Sequence, residues 1–184
     1  MQIEEAALPG IKIITPRRFA DERGFFAETY NRRTYAAAGI DLDFVQDNHS
    51  LSRRRGTVRG LHFQSPPFAQ AKLVSVVRGS ILDVAVDLRR ASPTFGRHVM
   101  VEMSAADAKQ LLVPIGFAHG FCTLEADTEV LYKVTDYYAP EHDRGLAWDD
   151  PALAIPWPIA PSQAILSAKD ARHPRLADLA DTFP

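Results

Sequence analysis

The fold class this sequence predicts is mainly all-β: an antiparallel sandwich or small barrel with a few short helices. Three observations lead there. Short apolar, β-branched runs recur at about ten-residue spacing between glycine, proline and asparagine punctuation. Helical signals are few. In the longest run, "SILDVAVDL", Leu82, Val84 and Val86 fall on one face and Asp83, Ala85 and Asp87 on the other, the period of a strand.

The elements follow in chain order. "GIKIITP" alternates and stops at Pro16, and "GFFAETY" is a second candidate strand. "NRRTYAAAGI" predicts a short helix with an Asn31 cap and Gly39 as its stop. "FVQDNHSLS" and "TVRGLHFQ" come next, separated by the polar "RRRG". In "AKLVSVVRGSILDVAVDL" the Arg78-Gly79 step predicts a hairpin turn between two β-branched runs. "RHVMVEMS", "KQLLVPIGFAHGFCTL" and "TEVLYKVTDYYAP" complete the strands, with "SAADAKQ" as a single helical turn capped by Ser104. The last stretch is Pro-rich, then Ala-rich, and predicts a short helical segment from about residue 164, with an amphipathic piece around Leu176 and Leu179. No repeat interrupts the chain, so residues 1–184 are expected to form one domain.

Composition narrows the function. With 46% hydrophobic and 24% charged residues the balance is that of an ordinary globular protein. A net charge of -2 gives no field that gathers nucleic acid, and Arg53, Arg54 and Arg55 have no interleaved aromatics. One cysteine, Cys122, excludes an intrachain disulfide and suits an apolar strand. No apolar run approaches a membrane span and no leader pattern is seen, so a cytoplasmic location is expected.

Several polar residues stand in apolar strands. His62 and Gln64 share a face, opposite Leu61 and Phe63, which suits a polar cavity as well as bulk solvent. Strict alternation puts Arg59 on the face opposite His62. If both face one cavity, a bulge or bend near Gly60 is required. His119 sits in "VPIGFAHGF", framed by Pro114, Gly116 and Gly120. Tyr132 and Lys133 face opposite sides of one strand. Tyr132 is either a core tyrosine or a general acid. Lys72 is either a solvated strand end or, if buried beside a carbonyl oxygen, an oxyanion stabiliser. Lys169 and Asp170 in "SAKDA" are either a surface loop or the partner that orients a histidine. There is no H-x-H and no H-E-x-x-H, and His62 with His119 makes too few ligands for a catalytic zinc, so no metal is expected.

With "DERGFFAETY", "FVQDNHS", "RGLHFQ", "AQAKLV", "SPTFG", "PIGFAHGF", "LYKVTDYY" and "LSAKDA" in this order, the sequence resembles the dTDP-4-dehydrorhamnose 3,5-epimerases. These are cofactor-independent sugar-nucleotide epimerases of the cupin superfamily. The likeness runs from about residue 11 to 170. It implies a cupin-type β-sandwich jelly roll, usually a homodimer, with the active site inside the barrel and neither metal nor NAD. It implies epimerisation at carbons 3 and 5 of dTDP-4-dehydro-6-deoxy-D-glucose, giving dTDP-4-dehydro-L-rhamnose for dTDP-L-rhamnose biosynthesis. By resemblance His62 is the base, Asp170 its partner, Tyr132 the acid on the opposite face and Lys72 the contact to the 4-keto oxygen. Arg23, Phe25, Glu28, Gln46, Asn48, Arg59, His119, Tyr138, Asp143 and Lys169 match positions expected to bind the dTDP-linked 4-ketosugar. Two alternatives stay open: a mono-epimerase acting at carbon 3 or carbon 5 only, and a non-catalytic sugar-nucleotide-binding cupin.

Overall fold

The computed structural model describes residues 1–180 and 182–184. Its strands are β1 (Gln2–Glu5), β2 (Lys12–Thr15), β3 (Arg18–Asp21), β4 (Gly24–Ala27), β5 (Gln46–Ser52), β6 (Val58–Gln64), β7 (Lys72–Arg78), β8 (Ser80–Asp87), β9 (His98–Ser104), β10 (Gln110–Val113), β11 (Phe117–Thr123), β12 (Thr128–Val134) and β13 (Asp143–Gly145). One α-helix, α1 (Arg32–Ala37), lies between β4 and β5.

Two antiparallel sheets face each other, ordered β1-β2-β10-β7-β12-β5 and β13-β6-β11-β8-β9. β3 and β4 form a separate hairpin arm. The predicted fold class holds: this is a β-sandwich of jelly-roll type. Between the sheets lies an apolar core of Val74, Val76, Leu111, Val113 and Val130 from one side and Ile81, Ala85, Val99, Met103, Phe117 and Phe121 from the other. Each outer face is covered in turn. Helix α1 supplies Tyr35 against Leu73 and Leu112 of the larger sheet. The tail supplies Leu146, Leu153, Leu179 and Phe183 against Leu61, Phe63, Val84 and Val86 of the smaller one.

The Asn31 carboxamide oxygen accepts from the Arg33 and Thr34 N–H groups, and Gly39 has φ +82°, as the helix signals predict. Three expectations need correction. Arg78-Gly79 is a tight turn but not a hairpin: β7 pairs with β10 and β12, whereas β8 pairs with β9 and β11. The turn therefore carries the chain from one sheet to the other. Ser104 Oγ accepts from Asp107 N–H at 3.2 Å, but Ala108 takes φ +56° and no helix forms. The C-terminal segment is not a continuous helix but three 3-10 turns at Pro161–Gln163, Asp170–Arg172 and Leu176–Asp178, joined by extended chain. The N-terminal sheet edge is formed by β1, with β2 paired on both sides.

The "SPTFG" stretch has a structural use. Ser92 Oγ and Thr94 Oγ1 each donate to Asp87 Oδ2 at 2.7 Å, and Arg89 forks onto both oxygens. Burial pushes the Asp87 carboxyl up, and these donors outweigh it and hold it at about 2.

Candidate active site

At one end of the sandwich the apolar core gives way to buried polar residues. The inner face of β6 starts this change. Leu61 and Phe63 point outward into the tail cluster, so His62 and Gln64 point inward. Arg59 points inward too, because β6 carries an extra residue. His62 pairs with His119 and Arg59 with Phe121, three positions on β6 against two on β11. Gly60 has φ +131°, and a β-carbon there would lie 2.6 Å from the Gly120 Cα. Only glycine allows both that backbone and that approach. The bulge required for Arg59 and His62 to share a cavity is present.

Two adjoining cavities of about 190 and 230 Å³ open between the sheets. Both are lined by His62 and by Lys72, Tyr132 and Lys169. Gln46, Asn48, Tyr138 and Asp143 line the first, and Arg59, His119, Ser167 and Asp170 the second. Tyr132 stands on β12 of the larger sheet and His62 on β6 of the smaller. They belong to opposite walls.

His62 Nε2 lies 2.6 Å from Asp170 Oδ1. Asp170 is buried, and its backbone N–H donates to Ser167 Oγ at 3.0 Å. Burial pushes its carboxyl up, but the hydrogen bonds and charge from His62 outweigh that and hold it below the usual range. A carboxylate at Nε2 favours the proton there, which leaves the Nδ1 lone pair free to accept one. Lys72 is buried, and its ammonium donates to the His62 carbonyl at 3.2 Å. Burial lowers its pKa to about 8, against the opposing pull of Asp83 and Asp143. Burial raises Tyr132, and the nearby Arg59 moderates the rise. The phenol is therefore protonated at neutral pH, as a donor must be.

The surrounding shell is tied together. His119 Nε2 meets Asp83 Oδ1 at 2.8 Å, both fully inside the protein. Gln46 Oε1 accepts from the Tyr138 N–H at 3.1 Å, and Tyr138 Oη donates to Asp143 Oδ2 at 3.0 Å. The hydrogen bond to Asp143 is the main reason the Tyr138 phenol is raised. Lys169 pairs with Asp143. Arg59 Nε donates to Ser52 Oγ at 3.0 Å.

Three candidates stand elsewhere. Arg23 is paired with Asp21 on the arm, and Glu28 accepts from Asn31 and Thr34. Phe25 lines a separate 280 Å³ cavity with Leu73, Ser75, Leu131 and Lys133, the outward residues of β7 and β12. The arm thus lies on the far side of the larger sheet from His62. Sequence reasoning missed His173, whose ring packs edge-on against His62 with centroids 5.5 Å apart. It also missed Asp83 as the partner of His119. An aspartate on the core face of "SILDVAVDL" was the available signal; His173, in a Pro-rich tail, offered none.

The fold and site define an acid–base pocket in a jelly roll: a carboxylate-backed imidazole, a phenol on the opposite wall and a buried ammonium line the same cavities. Residues 5–178 match the family model described as dTDP-4-dehydrorhamnose 3,5-epimerase. The enzyme of that name from Sinorhizobium fredii is 50% identical over 183 residues, spanning 100% of this chain and 93% of that protein. The crystal structure of the Bacillus anthracis str. Ames enzyme with TDP and PPi bound is 50% identical, with a TM-score of 0.92 over 95% of this chain and 98% of that one. That of dTDP-6-deoxy-D-glucose-3,5-epimerase from Legionella pneumophila Philadelphia 1, in complex with dTDP-4-keto-L-rhamnose, is 46% identical, with a TM-score of 0.92 over 97% and 94%. The chain belongs to the dTDP-4-dehydrorhamnose 3,5-epimerase family.

Proposed function

We propose that the protein epimerises dTDP-4-dehydro-6-deoxy-D-glucose at carbons 3 and 5, giving dTDP-4-dehydro-L-rhamnose. The observation that carries this reading is that the His62–Asp170 pair and Tyr132, carried by opposite sheets, line one cavity with Lys72. A proton beside a ketone is acidic only when the enolate is stabilised. The 4-keto group activates both of its neighbours, so one oxyanion contact serves two carbons. His62 Nδ1 takes the proton from one face. Lys72, with His119 beside it, holds the oxyanion and contributes about 3 kcal/mol. Tyr132 returns a proton from the other wall, which inverts the centre. Every electron pair stays within substrate and acid–base groups, so the proposed reaction uses neither NAD nor a metal. Arg59 suits the pyrophosphate, since a guanidinium fork fits phosphate oxygens.

The working unit we propose is a homodimer of single-domain chains in the cytoplasm. The β3–β4 arm exposes Phe19, Phe25 and Phe26 (51%, 61% and 71%), more apolar surface than a free hairpin ordinarily leaves in water. Arg23 and Phe25 on the arm, and Glu28 directly after it, lie away from the pocket of their own chain. Crossing to a second copy buries these aromatics and brings the three residues to that copy's sugar-nucleotide.

Proton NMR of dTDP-4-keto-6-deoxyglucose with the enzyme in deuterated water tests the reaction. Deuterium at both carbons 3 and 5 is expected, and exchange at one carbon would replace the reading with a mono-epimerase. No exchange at either would leave a binding protein. His62→Ala is expected to lose exchange at both carbons. Mixing His62→Ala with an Arg23→Ala, Phe25→Ala variant tests the shared arm. Activity regained in the mixture supports it, and two inactive partners staying inactive would refute it.

A further inference from the structure

His173 is the buried group that the epimerase chemistry leaves unused. Its side chain is 8% exposed, and its Nε2 has no hydrogen-bond partner. That nitrogen lies 3.4 Å from Asp170 Oδ1, the oxygen that His62 Nε2 meets at 2.6 Å. The three ligand atoms lie within 4.8 Å of one another. The ring's position is built into the fold. Gly145 of β13 pairs opposite His62, and a β-carbon there would run into the His173 ring. Lys169, whose charge acts on His173, is already paired with Asp143.

We propose that His62, Asp170 and His173 form an inhibitory site for a borderline transition-metal ion such as zinc, with two imidazole nitrogens and one carboxylate oxygen as ligands. This donor set suits zinc and its neighbours and is a poor match for magnesium or calcium. Its geometry needs only a small opening of the His62–Asp170 contact to admit an ion with bonds of about 2.0 Å.

The consequence for catalysis follows from proton bookkeeping and rests on the epimerase reading. Neutral His62 carries one ring proton, on Nε2. A metal at Nε2 needs that lone pair, so the proton moves to Nδ1 and the charge of the ring is unchanged. Nδ1 is then a donor and no longer the base. His173 likewise binds through Nε2 with its proton on Nδ1. The ion inhibits because it shifts the tautomer of the base, without occupying the sugar's place.

Cobalt(II), a coloured substitute for zinc, tests the site on the intact protein after chelator treatment. One ion per chain, visible d–d bands and two imidazole ligands by X-ray absorption are expected. His173→Phe keeps a ring in the Gly145 niche without its nitrogen and is expected to lose the bands. Zinc is expected to abolish deuterium exchange in the wild type, reversibly with chelator, and to leave the exchange of His173→Phe intact. One imidazole or none in the wild-type complex, a count that needs no variant, would overturn the site. So would equal cobalt binding by the folded variant. Cobalt binding with undiminished exchange would keep the site and overturn the inhibition. Absence of exchange before any metal is added would instead fall on the epimerase reading.

Discussion

Lys72→Met separates stability from catalysis at one atom. Lys72 is 8% exposed, and its ammonium is held by the His62 carbonyl at 3.2 Å and by the charges of Asp83 and Asp143. Burial still wins and brings its pKa from 10.5 to about 8. At ~1.4 kcal/mol per pKa unit, that depression corresponds to roughly 3 kcal/mol of folding free energy spent on keeping the charge inside. The folded pKa is lowered, so the unfolded chain binds more protons between about pH 8 and 10.5. The cost is therefore fully present below pH 8 and fades as the pH rises through that window. Methionine has nearly the same length and no charge. Allowing about 1 kcal/mol for the lost hydrogen bond, Lys72→Met is expected to gain about 2 kcal/mol at pH 7. The gain is expected to vanish above pH 10.5. The same change removes the proposed oxyanion contact and is expected to lower the epimerisation rate about 10²–10³-fold. Urea unfolding at the two pH values and deuterium exchange at carbons 3 and 5 measure both halves. A variant less stable than wild type at pH 7, or a stability gain that persists at high pH, would refute the burial account. Unchanged exchange would remove Lys72 from the enolate.

Three further outcomes are expected. Asp170→Asn keeps the shape beside His62 but no longer fixes its tautomer. Exchange at both carbons is expected to fall about 10³–10⁴-fold with the fold intact by circular dichroism. Tyr132→Phe is expected to retain proton removal while net inversion falls, seen as deuterium entering substrate that has not changed configuration. Gly60→Ala puts a β-carbon 2.6 Å from the Gly120 Cα on a backbone at φ +131°. A loss of about 3 kcal/mol in urea unfolding is expected, and a neutral result would mean that the bulge relaxes easily.

The strands were legible because a two-residue period is written into runs such as "SILDVAVDL" and "TEVLYKV". Their pairing was not. Arg78-Gly79 has the residues of a hairpin, and nothing local says that β7 and β8 enter different sheets. The faces of His62, Gln64 and Tyr132 could be read from alternation. Whether those faces met solvent or a cavity depends on the opposite sheet, which alternation does not describe. The His62–Asp170 contact joins residues 108 positions apart, and it came from the resemblance rather than from spacing. His119 with Asp83 is similar: each is visible as a polar residue in an apolar strand, and only β8–β11 pairing brings them together. His173 left no trace, because the 3-10 turn Asp170–Arg172 that precedes it packs against β6, a strand far away in the sequence. The placement of Arg23, Phe25 and Glu28 beyond the larger sheet was equally hidden.

The extra residue at Gly60 gives strand β6 a sensitivity that has nothing to do with side-chain chemistry. Removing one residue between positions 59 and 62 would leave every functional group in the sequence and still turn the Arg59 guanidinium to the outside of the barrel. Charge-preserving exchange at residue 59 would be a milder injury than a deletion that touches no polar side chain. For this strand, the number of residues matters to the site as much as which residues they are.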